Sequence, residues 1–135
     1  MQPVYVDTSA WYAIADQTDS DHPSAAATIK RLTKSNARLV TTGHILAELH
    51  RLVLHRSHRR AAVDAVRRII ATPRVDLIHA DAEDLRAALG WIDRFEDQDF
   101  TLTDAIGFAA MDRLKIRRAF AYDHDFTVAG FDLVS

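Results

Sequence analysis

Short runs of apolar, β-favouring residues alternate along the chain with longer segments whose apolar residues recur every three to four positions. The short runs predict buried strands and the longer segments predict amphipathic helices. We predict strands at Pro3–Val6, Arg38–Thr41, Arg74–His79 and Arg118–Tyr122, with a short edge strand at Phe131–Val134. Strands that alternate with helices are typical of parallel sheets covered by helices. The pattern therefore predicts an α/β fold, a three-layer α/β/α sandwich with a short, mostly parallel central sheet.

The predicted helices begin at residues that commonly cap helices. Side chains of Ser, Thr and Asp accept hydrogen bonds from the free N–H groups of a first turn. The expected starts are Thr8 or Ser9, His22-Pro23, the Thr41–Gly43 turn, Arg59, Asp81 and Thr103. Asp84 is expected to complete a capping box with Asp81, and Ser57 is expected to interrupt the helix that follows Gly43.

Composition is that of an ordinary globular domain. The 135 residues are 48% hydrophobic and 27% charged, with a formal net charge of −2. We expect one domain spanning residues 1–135. The chain has no cysteine, which excludes disulfides and thiolate metal sites. It also has no apolar run near the about 20 residues of a membrane span and no signal-peptide pattern, so we expect a cytoplasmic protein. The net charge neither requires nor excludes a nucleic-acid partner.

Four acidic residues stand where a parallel sheet would bring them together. Asp7 and Asp123 follow predicted strands, Asp104 lies in the first turn of a helix, and Glu48 lies one turn inside another helix. The carboxyl ends of parallel strands form the ligand-binding edge of such sheets. Each acid alone also has a structural interpretation: Asp7 and Asp104 as helix or turn caps, and Glu48 as part of an exposed flank.

Converging carboxylates require a counter-charge because like charges repel. Oxygen ligands without cysteine favour Mg²⁺, or Mn²⁺ in its place, over Zn²⁺. One or two such ions can activate water and stabilise the leaving oxygen of a phosphodiester. The four acids Asp7, Glu48, Asp104 and Asp123 therefore indicate a metal site suited to phosphodiester hydrolysis.

The most basic part of the chain lies between His50 and Arg68. Its arginines include Arg51, Arg56, Arg59 and Arg60. One interpretation is a surface that holds RNA phosphates or an acidic partner segment. The other is a solvated helix face, which the sequence favours slightly.

Four segments of the chain resemble the signature of PIN-domain nucleases, and most closely the VapC-type toxins of bacterial toxin–antitoxin pairs. They are Val4–Ser9, Glu48 after the Thr41-Thr42 turn, Phe100–Ile106 and Ala121–Phe126. The resemblance covers essentially the whole chain. It implies a Mg²⁺-dependent endoribonuclease with Asp7, Glu48, Asp104 and Asp123 as its acidic quartet.

The same resemblance implies supporting residues and partners. Asp99 would support the site, although a turn acid is slightly favoured there. Hydroxyls of Thr8 or Ser9 and of Thr103 would assist the ligands, and Asp125 is the alternative to Asp123 as the last ligand. The family further implies an RNA substrate, homodimers and a VapB-like cognate antitoxin that places a basic side chain in the acidic pocket.

Competing functions fit the sequence less well. A phosphotransfer receiver domain needs a mid-chain acceptor Asp and a late Lys, but the chain offers only Asp76 inside a strand and Lys115 within a helix. A haloacid-type phosphatase needs a second Asp where the chain has Ser9. A PIN nuclease of RNA processing and a PIN domain that only binds a partner remain as alternatives, and the intact quartet argues against the second.

Overall fold

The centre of the fold is a parallel five-stranded sheet, seen in a computed structural model that describes residues 2–134. The strands are β1 (Val4–Val6), β2 (Leu39–Thr42), β3 (Val75–Ile78), β4 (Arg118–Phe120) and β5 (Asp132–Val134). Their order is β3-β2-β1-β4-β5, and every neighbouring pair is parallel. The predicted parallel sheet is confirmed, including its short final strand.

Seven helices cover this sheet within the described residues. They are α1 (Thr8–Ala15), α2 (His22–Lys34), α3 (Gly43–Arg56), α4 (Arg59–Ile70), α5 (Ala82–Arg94), α6 (Leu102–Leu114) and α7 (Asp125–Val128). Helix α1 packs on α2 and α3, α3 packs on α4, and α5 packs on α6. The two groups form the outer layers, so the predicted three-layer sandwich is confirmed.

Strand β1 is the central strand of the sheet, because β2 and β3 lie on one side of it and β4 and β5 lie on the other. The connections from β1 to β2 and β3 build one half of the sheet, and the chain then returns to place β4 on the other side of β1. Val4, Tyr5 and Val6 are all completely buried. A crevice forms at the carboxyl edge of such a switch point, and ligands bind there in open α/β sheets. The topology therefore points to the end of β1 and the end of β4.

The structure also corrects several predicted boundaries. Strand β4 ends at Phe120 instead of Tyr122, and the short helix α7 was not predicted because four residues carry no measurable periodicity. Within residues 2–134, no helix is both long enough and apolar enough to cross a membrane.

Candidate metal centre

Three of the four predicted acids meet at the crevice between β1 and β4. Asp7, Asp104 and Asp123 each present a carboxylate oxygen, and these oxygens all lie within 4.8 Å of one another. Asp7 follows β1 directly, Asp104 is in the first turn of α6, and Asp123 follows β4. Residues that are up to 116 positions apart in sequence are thus gathered by the parallel topology.

Asp7 is held by the elements on either side of it. Its backbone N–H donates to the Phe120 carbonyl at 3.0 Å, which extends the pairing of β1 with β4. Its Oδ2 accepts from the backbone N–H of Ser9 at 3.2 Å, and this makes Asp7 the N-cap of α1. The expectation that Thr8 or Ser9 caps this helix was wrong, because the free N–H of Ser9 donates to the Asp7 carboxylate. Its Oδ1 is buried and has no hydrogen-bond partner among the described residues.

Ser9 links the two strand ends that carry acids. Its hydroxyl donates to Asp7 Oδ2 at 2.8 Å and accepts from the Tyr122 backbone N–H at 2.9 Å. The neighbouring Thr8 hydroxyl is buried without a partner in the described part of the chain. Ser9 therefore fixes the orientation of Asp7 relative to the loop that holds Asp123, a role that its position two residues after Asp7 does not reveal by itself.

Asp104 is fixed by a capping box at the start of α6. The Thr101 hydroxyl accepts from the Asp104 N–H, and Asp104 Oδ2 accepts from the Thr101 N–H, both at 3.1 Å. The N-cap is therefore Thr101, and the prediction of Thr103 was wrong. A capping box needs a spacing of three residues, which Thr101 has and Thr103 lacks. Thr103 is instead the half-buried second residue of the helix.

Asp123 is held by the turn that leads into α7. Its Oδ1 accepts from the backbone N–H of Asp125 at 3.1 Å. Asp125 itself is the half-buried first residue of α7 and lies outside the cluster of three. Burial, followed by the charges of Asp104 and Asp123, raises the pKa of Asp125 to about 6.

Burial and crowding both raise the pKa values of Asp7 and Asp123. Burial raises the pKa of Asp7 to about 7, and the charge of Asp123 acts in the same direction. The pKa of Asp123 is also raised, first by burial and then by the charge of Asp104. Among residues 2–134, no salt bridge reaches any of the three carboxylates. The cluster therefore carries negative charge that the described side chains do not neutralise.

The donor set fits a hard divalent cation. All of the converging atoms are carboxylate oxygens, which are the ligands that Mg²⁺ and Mn²⁺ prefer. The unpartnered Oδ1 of Asp7 is also informative, since buried polar atoms without a partner are rare unless water, an ion or a function accounts for them.

Glu48 and Asp99 lie outside the cluster of three. Glu48 is half-buried on α3, and its charge raises the pKa of the buried Tyr5 hydroxyl, as do those of Asp7 and Asp104. Its carboxylate is not among the three that converge. Asp99 is exposed in the connection before α6.

The predicted basic surface lies on α3 and α4. Arg51, Arg56, Arg59 and Arg60 are all exposed. The Arg56 guanidinium lies 4.8 Å from the centre of the Tyr12 ring, beside a groove of about 820 Å³ between α1, α3 and α4. Arg60 lies 3.4 Å from Asp64 across one helical turn. An exposed pair of this kind contributes little to stability, and the exposure of the four arginines leaves them accessible to a partner.

Known proteins share both the sequence pattern and the fold. A family model described as PIN domain matches residues 4–132. The chain is 37% identical over 130 residues to the 23S rRNA-specific endonuclease VapC20 of Mycobacterium tuberculosis, with 95% of each chain covered. It is 30% identical over 121 residues to ribonuclease VapC26 of the same organism, with 87% of this chain and 84% of that protein covered.

Solved structures agree with these relatives. The crystal structure of M. tuberculosis VapC20, described as a sarcin-ricin loop cleaving toxin, matches with a TM-score of 0.83, 33% identity and 95% of both chains covered. A structure of VapBC2 from Rickettsia felis, bound to a DNA fragment from their promoter, shares the fold at 12% identity and a TM-score of 0.75, with 98% of each chain covered. With the parallel sheet, the acidic crevice and these matches taken together, the chain belongs to the PIN-domain family and, within it, to the VapC proteins.

Proposed function

We propose that this protein is a Mg²⁺-dependent endoribonuclease, with Mn²⁺ as a substitute ion, and that it is the toxin of a type II toxin–antitoxin pair acting in the cytoplasm. The observation that carries the proposal is the meeting of three carboxylate oxygens within 4.8 Å beside a buried, unpartnered oxygen of Asp7. Identity of 37% to a 23S rRNA-specific endonuclease makes ribosomal RNA the first substrate to examine.

Each acid has a separate task in this mechanism. Asp7, Asp104 and Asp123 hold the cation, and Ser9 keeps Asp7 turned toward Asp123 through its two hydrogen bonds. When bound, the cation polarises the phosphodiester and lowers the pKa of water at the site. Glu48 completes the quartet from α3, where its carboxylate orients the attacking water or accepts its proton. The capping box fixes the orientation of the Asp104 carboxylate, which lies beside those of Asp7 and Asp123.

The same charges support an antitoxin as the partner. A crevice whose carboxylates are not neutralised by the chain itself attracts a basic side chain, and a VapB-like antitoxin would supply one and so exclude the cation. The arginines on α3 and α4 form a second, cationic surface that contacts RNA phosphates or the acidic part of the antitoxin. A homodimer is part of this proposal as well, because the family resemblance implies one.

A cleavage assay with two matched variants tests the nuclease proposal. Asp7 and Asp81 are both N-caps, of α1 and α5, and Asn caps helices as well as Asp does. The purified wild type, Asp7→Asn and Asp81→Asn are incubated with total RNA and with intact ribosomes, in Mg²⁺, in Mn²⁺ and in chelator, and the cut ends are sequenced.

We expect cleavage by the wild type and Asp81→Asn at the same positions, and a loss of at least about 100-fold in Asp7→Asn and in chelator. Equal cleavage by all three proteins would reject the assigned site. If no protein cuts either RNA or ribosomes with either ion, the nuclease proposal is wrong and a binding-only function replaces it. Growth arrest on expression, absent for Asp7→Asn, is the expected signature of a toxin.

A further inference from the structure

Tyr5, two residues before Asp7, carries a buried hydroxyl that packs against α6. The residue is completely buried in the middle of β1, and its hydroxyl has no hydrogen-bond partner among residues 2–134. The Thr42 side chain, which caps α3, approaches the phenol and affects its acidity but does not form a hydrogen bond of acceptable geometry. A buried hydroxyl without a partner destabilises a folded protein, so its presence calls for a reason.

The position of Tyr5 relates it to two of the three clustered acids. Tyr5 lies on β1 and Asp7 follows the last residue of that strand with extended backbone, so side chains two residues apart project to the same side. Gly107 lies three residues after Asp104 and therefore on the same side of α6. A Cβ atom at Gly107 would lie only 2.7 Å from the Tyr5 hydroxyl oxygen. The hydroxyl therefore contacts α6 one helical turn after Asp104, and Tyr5 itself lies two residues before Asp7.

The charges of Asp7, Asp104 and Glu48 act on the Tyr5 hydroxyl in the same direction as its burial, and all of them raise its pKa. A phenol can both accept and donate a hydrogen bond. Mg²⁺ sheds its water reluctantly and is usually bound with several water molecules still attached.

We propose that Tyr5 is a positioning residue of the acidic centre, whose hydroxyl hydrogen-bonds a water molecule of the hydrated cation held by Asp7 and Asp104. This inference rests on the proposed function, because it assumes that the cluster binds a divalent cation. When the site is filled, a water molecule of the cation becomes the hydrogen-bond partner that the hydroxyl lacks in the protein alone. The hydrated cation is then held by Tyr5 as well as by its carboxylate ligands.

Packing alone explains Tyr5 less well. Phe would fill the same space beside the Phe126 ring, whose centre lies 5.8 Å from that of Tyr5, without burying an unpartnered oxygen. The glycine opposite is also costly, since glycine inside a helix is less stable than alanine. Both features of the sequence are accounted for if the hydroxyl is needed by the bound state, because the Tyr5 side chain in turn requires a glycine opposite it.

Tyr5→Phe tests the proposal, with Tyr12→Phe as the matched control. Tyr12 is also buried, but its hydroxyl donates to Asp16 Oδ2 at 2.6 Å. Both variants and the wild type are unfolded thermally in chelator, and Mg²⁺ and Mn²⁺ alone are titrated into each protein by calorimetry without RNA.

We expect Tyr5→Phe to unfold at the same temperature as the wild type or about 2–6 °C higher, and to bind Mg²⁺ about three- to tenfold more weakly. Tyr12→Phe should show the reverse pattern, with a lower unfolding temperature and unchanged Mg²⁺ affinity. Weaker Mg²⁺ binding by Tyr5→Phe supports the proposal even if its unfolding temperature falls, provided that Tyr12→Phe binds normally.

Two results would overturn the proposal in distinguishable ways. If the wild type and Tyr5→Phe bind Mg²⁺ equally well, Tyr5 is a packing residue only, and the nuclease proposal stands. If the wild type binds neither Mg²⁺ nor Mn²⁺, the metal-dependent function itself fails and the inference about Tyr5 fails with it.

Discussion

Helices α5 and α6 begin with the same local motif but use its acid differently. Asp81 and Asp84 form a capping box at the start of α5, and Thr101 and Asp104 form one at the start of α6. Both third-position acids, Asp84 and Asp104, are 9% exposed. Each accepts a hydrogen bond of 3.1 Å from the backbone N–H of its N-cap residue. Locally, the two carboxylates are equivalent.

The rest of the fold decides what else each carboxylate meets. Arg113 Nε donates to Asp84 at 3.0 Å, so the charge at α5 is paired. Asp104 instead faces Asp7 and Asp123. Arg113 lies nine residues after Asp104 along α6, about 13 Å away at 1.5 Å per residue, and so cannot serve both acids. The structural acid Asp84 and the candidate metal ligand Asp104 therefore share a local motif. They differ in the side chains around them, which are an arginine for Asp84 and two carboxylates for Asp104.

Removing the charge of the third-position acid from each capping box should produce the largest difference between α5 and α6. Asp104→Asn should keep its cap but reduce Mg²⁺-dependent RNA cleavage by at least about 100-fold, while raising cation-free stability by about 1 kcal/mol because like charges no longer repel. Asp84→Asn should leave cleavage within about twofold and lower stability by about 1 kcal/mol, since Arg113 is half-exposed. Initial cleavage rates and urea unfolding in chelator measure both effects. Similar changes in the two variants would contradict the distinction drawn between the boxes.

The stability of the two regions should respond to pH with opposite signs. The pKa of Asp7 is raised from 3.8 to about 7, so its contribution is complete below about pH 4 and is lost as the pH rises through 7. The pKa of Asp81 is lowered, first by its backbone hydrogen bond from Asp84, so its contribution is lost as the pH falls below 4.

Between pH 5 and 8, we therefore expect the free energy of unfolding of the cation-free protein to fall by about 1–3 kcal/mol. Urea unfolding in chelator at several pH values measures this fall. It should shrink in Mg²⁺ and in Asp7→Asn, and it should persist in Asp81→Asn. A flat profile in the wild type would show that the acidic crevice is not strained.

Glycine positions in the two helices provide the smallest contrast. A Cβ at Gly107 of α6 would meet the Tyr5 ring and hydroxyl at 2.7–2.9 Å, whereas nothing lies within 4 Å of one at Gly90 of α5. Gly107→Ala should therefore lower the free energy of unfolding by about 1–3 kcal/mol through overpacking. Gly90→Ala should raise it by about 0.5–1 kcal/mol through helix propensity. Thermal unfolding of both variants measures the difference, and stabilisation by Gly107→Ala would show that β1 and α6 are not tightly packed there.

Sequence patterns predicted the elements well where they were long and periodic. The order of strands and helices apart from α7, the parallel sheet and the capping box of α5 were confirmed. Errors occurred at element ends, where Asp7 and Thr101 are the caps instead of Thr8 or Ser9 and Thr103. Adjacent Ser, Thr and Asp residues compete for the same N–H groups, and the backbone geometry of the turn selects among them.

The candidate site was predictable only in part. That Asp7, Asp104 and Asp123 converge followed from the acids at the ends of parallel strands and the start of a helix. The buried Tyr5 hydroxyl and the two bonds of Ser9 were not foreseen, because contacts across β1, β4 and α6 join residues up to 113 positions apart. Asp125 and Glu48 also carry carboxylates, but neither belongs to the cluster of three, and the sequence alone does not distinguish them from its members.

The sequence by itself determined that the chain alternates strands and helices, that its acids follow strand ends, and that oxygen ligands without cysteine suit a hard cation. These properties depend on local periodicity and residue chemistry. The tertiary structure alone decided which acids are left without a cationic partner and which hydroxyl is buried without a hydrogen-bond partner. Such facts depend on long-range packing, since the same type of capping box is structural beside an arginine and a candidate ligand site beside two carboxylates.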